Sequence, residues 1–181
     1  MTMSPALRLA PFAAAALLAA CATPAPTPPA VAIPANLGAP AGQMRVRTLL
    51  GDGAQIYECR KAAGAVSPDW ALVAPKATLF DASGAQVGHH YAGPTWEADD
   101  GSKVVGVVQA KADAPQPGAI TWLLLATHST GTPGLFANVT TMQRVATEGG
   151  VAPATGCDST TVGKQVSVPY KAQYVQYVAK P

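Results

Sequence analysis

The clearest structural signal in the chain is the segment TWEADDGSKVVGVVQAK, residues 95–111. Residues 95–98 alternate between polar and apolar, and residues 103–111 are rich in valine, a good strand former. An Asp-Gly pair between two such runs, here Asp100-Gly101, is typical of a tight β-hairpin turn. A calcium loop is the alternative, but it needs oxygen ligands at alternating positions and this run stops after two acidic residues. The segment therefore predicts antiparallel strands over residues 95–98 and 103–111.

Strand signals continue on both sides of this hairpin. Upstream, the pattern predicts a strand over residues 44–50, a turn at Gly51-Asp52-Gly53 and a second strand over 55–61. Further short strands are predicted over 70–73, which stops before Pro75, and over 77–81 and 86–91. No amphipathic helix is recognisable after the N-terminal region.

Downstream, residues 119–128, AITWLLLATH, are apolar at both alternating positions, which is typical of a strand buried on both faces. Strands are also predicted over 138–147, 165–170 and 173–179, with Pro169 confined to a strand edge or end. Roughly nine or ten short strands with frequent turns favour an all-β fold, an antiparallel β-sandwich or a barrel-like domain.

The N-terminus has the features of an export signal. Arg8 precedes an apolar run, residues 9–20, that is too short to span a bilayer, and the run ends in Leu18-Ala19-Ala20-Cys21. This ending resembles the bacterial lipobox, in which the cysteine is acylated and becomes the new N-terminus. The alternative is a plain secretory signal cleaved after Ala20 or Ala22. We expect residues 1–20 to be a lipoprotein signal peptide and Cys21 to be the lipidation site.

The segment after Cys21 is rich in Pro, Ala and Thr, and it predicts an extended linker over residues 21–41 followed by one β domain over 42–181. Ala22, rather than Asp, follows the lipidated cysteine, which resembles the signal for transfer to the outer membrane. The expected location is the cell envelope, with a lipid anchor in the outer membrane.

Composition excludes several classes of function. Charged residues make up 12% of the chain, its net charge is +2, and its basic residues are scattered, so no nucleic-acid partner is predicted. A hydrophobic content of 49% argues against disorder. No Gly-x-Gly-x-x-Gly or Gly-x-Ser-x-Gly motif is present, and we predict no cofactor.

Two cysteines remain once Cys21 is acylated, Cys59 and Cys157. An oxidising compartment with two thiols predicts one disulfide, which closes a loop of roughly 100 residues. Two buried free thiols are the alternative.

Several segments together resemble the DUF3455 family, which occurs in bacteria and as secreted fungal proteins and has no established biochemical function. The resemblance spans about residues 36–179, and it implies the domain boundaries and the pairing of Cys59 with Cys157. The segments that carry it are QIYEC (55–59), ATLFD (77–81), GHHYAGPTWE (88–97), DGS (100–102), WLLL (122–125), QRVATEGGVAP (143–153) and VPY (168–170), with Tyr174 and Tyr177.

Residues 88–103 hold the densest group of chemically capable side chains: His89, His90, Tyr91, Trp96, Glu97, Asp99, Asp100 and Lys103. Adjacent strand residues point to opposite faces, so His89 and His90 cannot both bind one metal. A metal site would need one of them together with Glu97 and His128. The simpler interpretation is one packed and one surface histidine, so no metal site is predicted firmly.

Trp96 beside Glu97 suggests either the wall of a ligand cleft, suited to sugars or small amphiphiles, or a core tryptophan. Arg144 lies in a predicted strand, where it could pair with Glu97 or Glu148 or bind an anionic ligand, although a solvent-facing side chain is expected. The candidate ligand-binding residues are His89, His90, Tyr91, Trp96, Glu97 and Arg144.

No catalytic signature is complete. We therefore expect a binding or structural module that holds a small molecule, a glycan or an envelope partner. The alternative is a hydrolase or lyase that uses the histidines or Glu97 of residues 88–103, possibly with a metal.

Overall fold

Eight antiparallel strands follow one another round a closed barrel, in which β1 also pairs with β8. The computed structural model describes residues 32–181. The strands are β1 Gln43–Arg60, β2 Asp69–Phe80, β3 Gln86–Tyr91, β4 Thr95–Ala98, β5 Lys103–Ala112, β6 Trp122–Ser129, β7 Thr141–Gly149 and β8 Gln165–Ala179, preceded by a short 3-10 helix, Ala35–Leu37. No helix within residues 32–181 is long and apolar enough to cross a membrane. The all-β, antiparallel prediction is confirmed, and of its two architectures the barrel is correct.

The turn predicted at Gly51-Asp52-Gly53 is wrong, because β1 runs straight through it. Gly51 is opposite Ala172 on β8 and Leu79 on β2, so it faces the barrel interior. A Cβ atom at Gly51 would lie 2.5 Å from the ring of Tyr174. The glycine therefore makes room for an aromatic ring and does not bend the chain.

Two prolines lie within strands that were expected to end near them. Pro75 is opposite Gln55, and Pro169 is opposite Ala54. Pro75 precedes the part of β2 that pairs with β3, which begins at Ala77. Pro169 likewise precedes the part of β8 that pairs with β7, which begins at Tyr170. A missing N–H therefore costs no ladder hydrogen bond on that side. Together with the continuous β1, these fusions join the eleven predicted segments into eight strands, fewer than the nine or ten that were expected.

The barrel core is built around Trp96 and Tyr174, both at most 1% exposed. One end of the barrel is covered by residues 130–139, which place Phe136 and Val139 in the same cluster. The turn at residues 99–102 holds this cover, because the Leu135 amide donates to the Asp100 carboxylate and the Phe136 amide donates to Ser102 Oγ. The hairpin turn predicted there is confirmed.

The outer surface carries a second apolar cluster, in which Leu37 packs on Trp122, Leu124 and Val175. The Gln143 side chain donates to the Leu37 carbonyl at 2.6 Å. The first half of β6, residues 122–125, is thus shielded on both faces as the sequence predicts, whereas Ala126 and His128 in its second half are exposed. Residues 35–37, which were assigned to the linker, lie against the barrel, whereas Cys21 and the signal peptide fall outside the described residues.

The predicted disulfide is confirmed: Cys59, near the end of β1, is bonded to Cys157. It ties the segment between β7 and β8 to the end of the barrel opposite residues 130–139. The Trp70 indole adds to this attachment by donating to the Thr155 carbonyl at 2.9 Å.

Candidate functional site

The two adjacent histidines lie on opposite sides of the barrel wall. His89 is exposed on the outer face, whereas His90 is 2% exposed and faces inward. Alternation along β3 and its pairing with β4 place Glu97 opposite His89 and Trp96 opposite His90. The group of residues 88–103 is therefore divided into an outer set and an inner set.

The outer set lies in a groove of about 580 Å³ across β1–β4, which we call the outer groove. At its β3–β4 side the Tyr91 hydroxyl donates to the Glu97 carboxylate at 2.5 Å, and the ammonium of Lys103, on the neighbouring strand β5, lies 3.1 Å from the same carboxylate. We call these three residues the Tyr91–Glu97–Lys103 centre. The residues that line the groove are Asp52, Gly53, Ala54, Lys76, Ala77, Thr78, His89, His90, Tyr91 and Glu97.

The electrostatics of this centre keep Glu97 ionised. Hydrogen bonding from Tyr91, and then from Lys103, lowers the pKa of Glu97. The hydrogen bond to Glu97, and then burial, raise the pKa of Tyr91. The hydrogen bonds of Lys103 to Glu97 and Tyr91 raise the pKa of Lys103. A carboxyl group with a lowered pKa is ionised at neutral pH, so it can accept hydrogen bonds but has no proton to donate.

The inner set is a stack of rings. His90 lies 4.3 Å from Trp96 with an interplanar angle of 10°, and Tyr174 meets both rings edge-on. His90 Nδ1 is 2.8 Å from the Thr95 carbonyl, which only accepts, so this nitrogen carries the proton. Burial lowers the pKa of His90 to about 3, so the ring is neutral. Trp96, only 1% exposed, belongs to the core and forms no wall of the outer groove.

The structure does not assemble the metal site that was considered for His89, His90, His128 and Glu97. His128 lies on β6 opposite Val105 and lines a different groove, of about 730 Å³, beside residues 134–140. Within residues 32–181, no group of three His, Cys, Asp or Glu side chains is arranged to hold a metal ion. The physical reason is that two of the candidates face opposite sides of β3 and a third belongs to another groove.

Arg144 faces the barrel interior, although the sequence analysis expected its side chain to face solvent. It is half-buried on β7, opposite Leu123 on β6 and Tyr174 on β8. Its Nε and Nη2 atoms both donate to the Thr121 carbonyl, at 3.1 and 2.7 Å. Neither Glu97 nor Glu148 forms an ion pair with it.

Three tyrosines that the sequence analysis did not select lie close enough to Arg144 to interact with its charge: Tyr57, Tyr170 and Tyr174. The hydroxyls of Tyr170 and Tyr174 are 3.0 Å apart, and burial raises the pKa of both, so they are neutral. The sequence signal that could have found this pair is the spacing of Tyr170 and Tyr174, because residues four apart on a strand lie on the same face of the sheet.

By its fold, the protein is a closed antiparallel β-barrel with a groove on its outer face and an arginine in its interior. Its sequence matches the family described as "Protein of unknown function (DUF3455)" over residues 40–178. The chain therefore belongs to this family, as the resemblance implied. Searches of curated proteins and of solved structures found no match.

Proposed function

We propose that the protein is a binding module of the bacterial cell envelope that takes an uncharged polar ligand, a glycan, in the outer groove. The observation that carries this proposal is the Tyr91–Glu97–Lys103 centre, which presents an aromatic ring, a carboxylate and an ammonium group side by side. Sugars are bound by such combinations, because hydroxyls both donate and accept and the sugar's C–H faces pack on aromatic rings.

The balance of charge supports a neutral ligand. Glu97 is compensated by Lys103, and Asp52, at the other side of the groove, is compensated by Lys171 at 3.1 Å. The remaining charged residue of the lining is Lys76, which is exposed and forms no ion pair within residues 32–181. Solvent and salt screen a single exposed ammonium group, so the groove offers hydrogen-bonding groups with only a weak net field.

Anchoring through Cys21 completes the proposal. The lipobox-like residues 18–21 and the Pro/Ala-rich linker favour a domain held near the outer membrane by an acyl chain. Labelling cells with radioactive palmitate tests this part: we expect the wild-type chain to be labelled and a Cys21→Ala chain to be unlabelled. Equal labelling of both chains would contradict it.

The alternative, a hydrolase or lyase, has less support from the same residues. A general acid at neutral pH needs a raised carboxyl pKa or a histidine that can titrate. The pKa of Glu97 is lowered, and His90 is neutral and buried.

Calorimetric titration with cell-wall oligosaccharides, chitotriose first, tests glycan binding directly. We expect Glu97→Gln to weaken binding about tenfold, since hydrogen bonds to a charged group are worth about 1.5–3 kcal/mol. Glu148→Gln, an exposed carboxylate on β7, is the matched control and should bind as the wild type does. The proposal fails if no oligosaccharide binds or if both variants behave alike.

A further inference from the structure

Arg144 carries a charge inside the barrel that nothing in residues 32–181 neutralises. The three ion pairs in this part of the chain join Arg60 to Glu58, Lys103 to Glu97 and Lys171 to Asp52. Thr121 supplies Arg144 only with a carbonyl oxygen, and the surrounding tyrosines are neutral. Taking a charge out of water without a partner is costly, so this arrangement favours an anion beside the guanidinium.

A second donor lines the same interior. Gln55 is 2% exposed, and its Nε2 atom has no hydrogen-bond partner within the described residues. The Gln55 side chain lies near Gly150, and Tyr170 also lies near Gly150. The Gly150 carbonyl accepts a hydrogen bond from the Tyr57 hydroxyl. Gln55 is therefore beside two of the three tyrosines that surround Arg144. A buried amide that lacks a partner indicates a missing acceptor.

The strand registers leave an opening in the barrel wall between β2 and β5. Strands β3 and β4 are short, so β2 residues before Ala77 and β5 residues after Gly106 have no strand between them. Leu72 is opposite Tyr57, and Val108 is opposite Leu125, so both occupy inward register positions. Yet they are 54% and 48% exposed, which leaves apolar side chains at the rim of the opening.

We propose that this opening leads to an internal binding site for an organic carboxylate with an apolar body, whose head group binds Arg144 and Gln55. A guanidinium and one amide match the two oxygens of a single carboxylate. Leu72 and Val108 would contact the apolar part of the ligand. This site is separate from the outer groove, because Arg144 and Glu97 lie on opposite faces of the barrel wall.

Calorimetric titration of the purified protein with octanoate tests this site, and octanol is the neutral probe of equal chain length. We expect octanoate to bind wild-type protein at least about tenfold more tightly than octanol, and Arg144→Met to abolish this preference. Arg47→Met removes a charge at the other end of the barrel, where Arg47 donates to the Leu135 carbonyl, and should keep the preference. Glu97→Gln should keep it as well, which separates this test from that of the glycan groove.

A second readout avoids dependence on a variant that fails to fold. In the wild-type protein, the NMR resonance of the Arg144 Nε–H group should shift as octanoate is added, and it should not shift with octanol. An unshifted resonance, no octanoate binding, or equal octanoate binding by wild type and a folded Arg144→Met variant would each overturn the proposal.

Discussion

At the scale of single residues, His90 shows how burial determines chemistry. Alternation along β3 was enough to predict that His89 and His90 lie on opposite faces. The same reasoning failed for Arg144, because residues 141–145 of β7 are largely buried on both faces. Alternation along this strand therefore does not show which face points into the barrel. Which face of β7 points inward depends on its register with β6 and β8, and a period of two in the sequence does not specify this register.

The lowered pKa of His90 predicts a dependence of stability on pH. The unfolded chain takes up a proton near pH 6.5 and the folded chain only near pH 3, so stability is complete above pH 6.5 and falls as the pH decreases toward 3. Between pH 7 and pH 5 the loss should be about 2 kcal/mol. Glu97 has a lowered carboxyl pKa and contributes only below this window.

Urea unfolding of wild type and His90→Phe at pH 7 and pH 5 measures this loss. The phenylalanine ring can keep the stack on Trp96 but cannot be protonated, so its stability should change little over this range. His89→Phe, one residue earlier on the exposed face, is the matched control for losing an imidazole. The same pH dependence in wild type and His90→Phe would contradict the assignment.

At the scale of elements, turns with local chemistry were predictable and glycines inside strands were not. The Asp-Gly turn at residues 99–102 depends on its own side chains and was found correctly. The Gly51-Asp52-Gly53 segment has a similar turn-like composition, yet Gly51 lies within β1. The Tyr174 ring packs against Gly51 from a strand about 120 residues away in the sequence. Contacts so distant in sequence carry no local signal.

Gly88 is a second strand glycine whose role depends on its partner strand. Its φ is +157°, and an added Cβ atom would fall against the Glu97 carbonyl of β4. Gly88→Ala should therefore destabilise the fold by about 3 kcal/mol or more, through both backbone strain and overlap.

Gly42 provides the matched comparison, because its φ is +78° and nothing lies within 4 Å of an added Cβ. Gly42→Ala should cost about 1 kcal/mol, from backbone strain alone. Thermal or urea unfolding of the two variants gives the comparison, and a Gly88→Ala variant no less stable than Gly42→Ala would refute the close packing of β3 on β4.

At the scale of the whole molecule, the all-β class followed from the strand and turn patterns, and the disulfide followed from the cysteine count and the expected compartment. The family followed from the segments that resemble it, such as GHHYAGPTWE at residues 88–97. Barrel closure did not, because a sandwich and a barrel have the same strands and differ only in whether β1 pairs with β8. The candidate residues were grouped by their place in the sequence, with His89 and His90 expected on opposite faces. The structure divides the group between the outer groove and the barrel interior.

The Cys59–Cys157 bond joins positions 98 residues apart and should contribute strongly to stability. Replacing both cysteines with serine should lower the free energy of unfolding by about 2–4 kcal/mol, largely by freeing the unfolded chain. Urea unfolding measures the loss, and reductant should destabilise the wild type similarly while leaving the double variant unchanged. A loss below about 1 kcal/mol would contradict this contribution.

The glycan groove is the centre of this account, and chemical-shift mapping tests it most directly. The purified protein, labelled with ¹⁵N, is titrated with chitotriose while its backbone amides are followed. The account predicts shifts concentrated at His89, Tyr91, Glu97 and their neighbours on β1 and β2. An unchanged spectrum, or shifts confined to the groove beside His128, would contradict it.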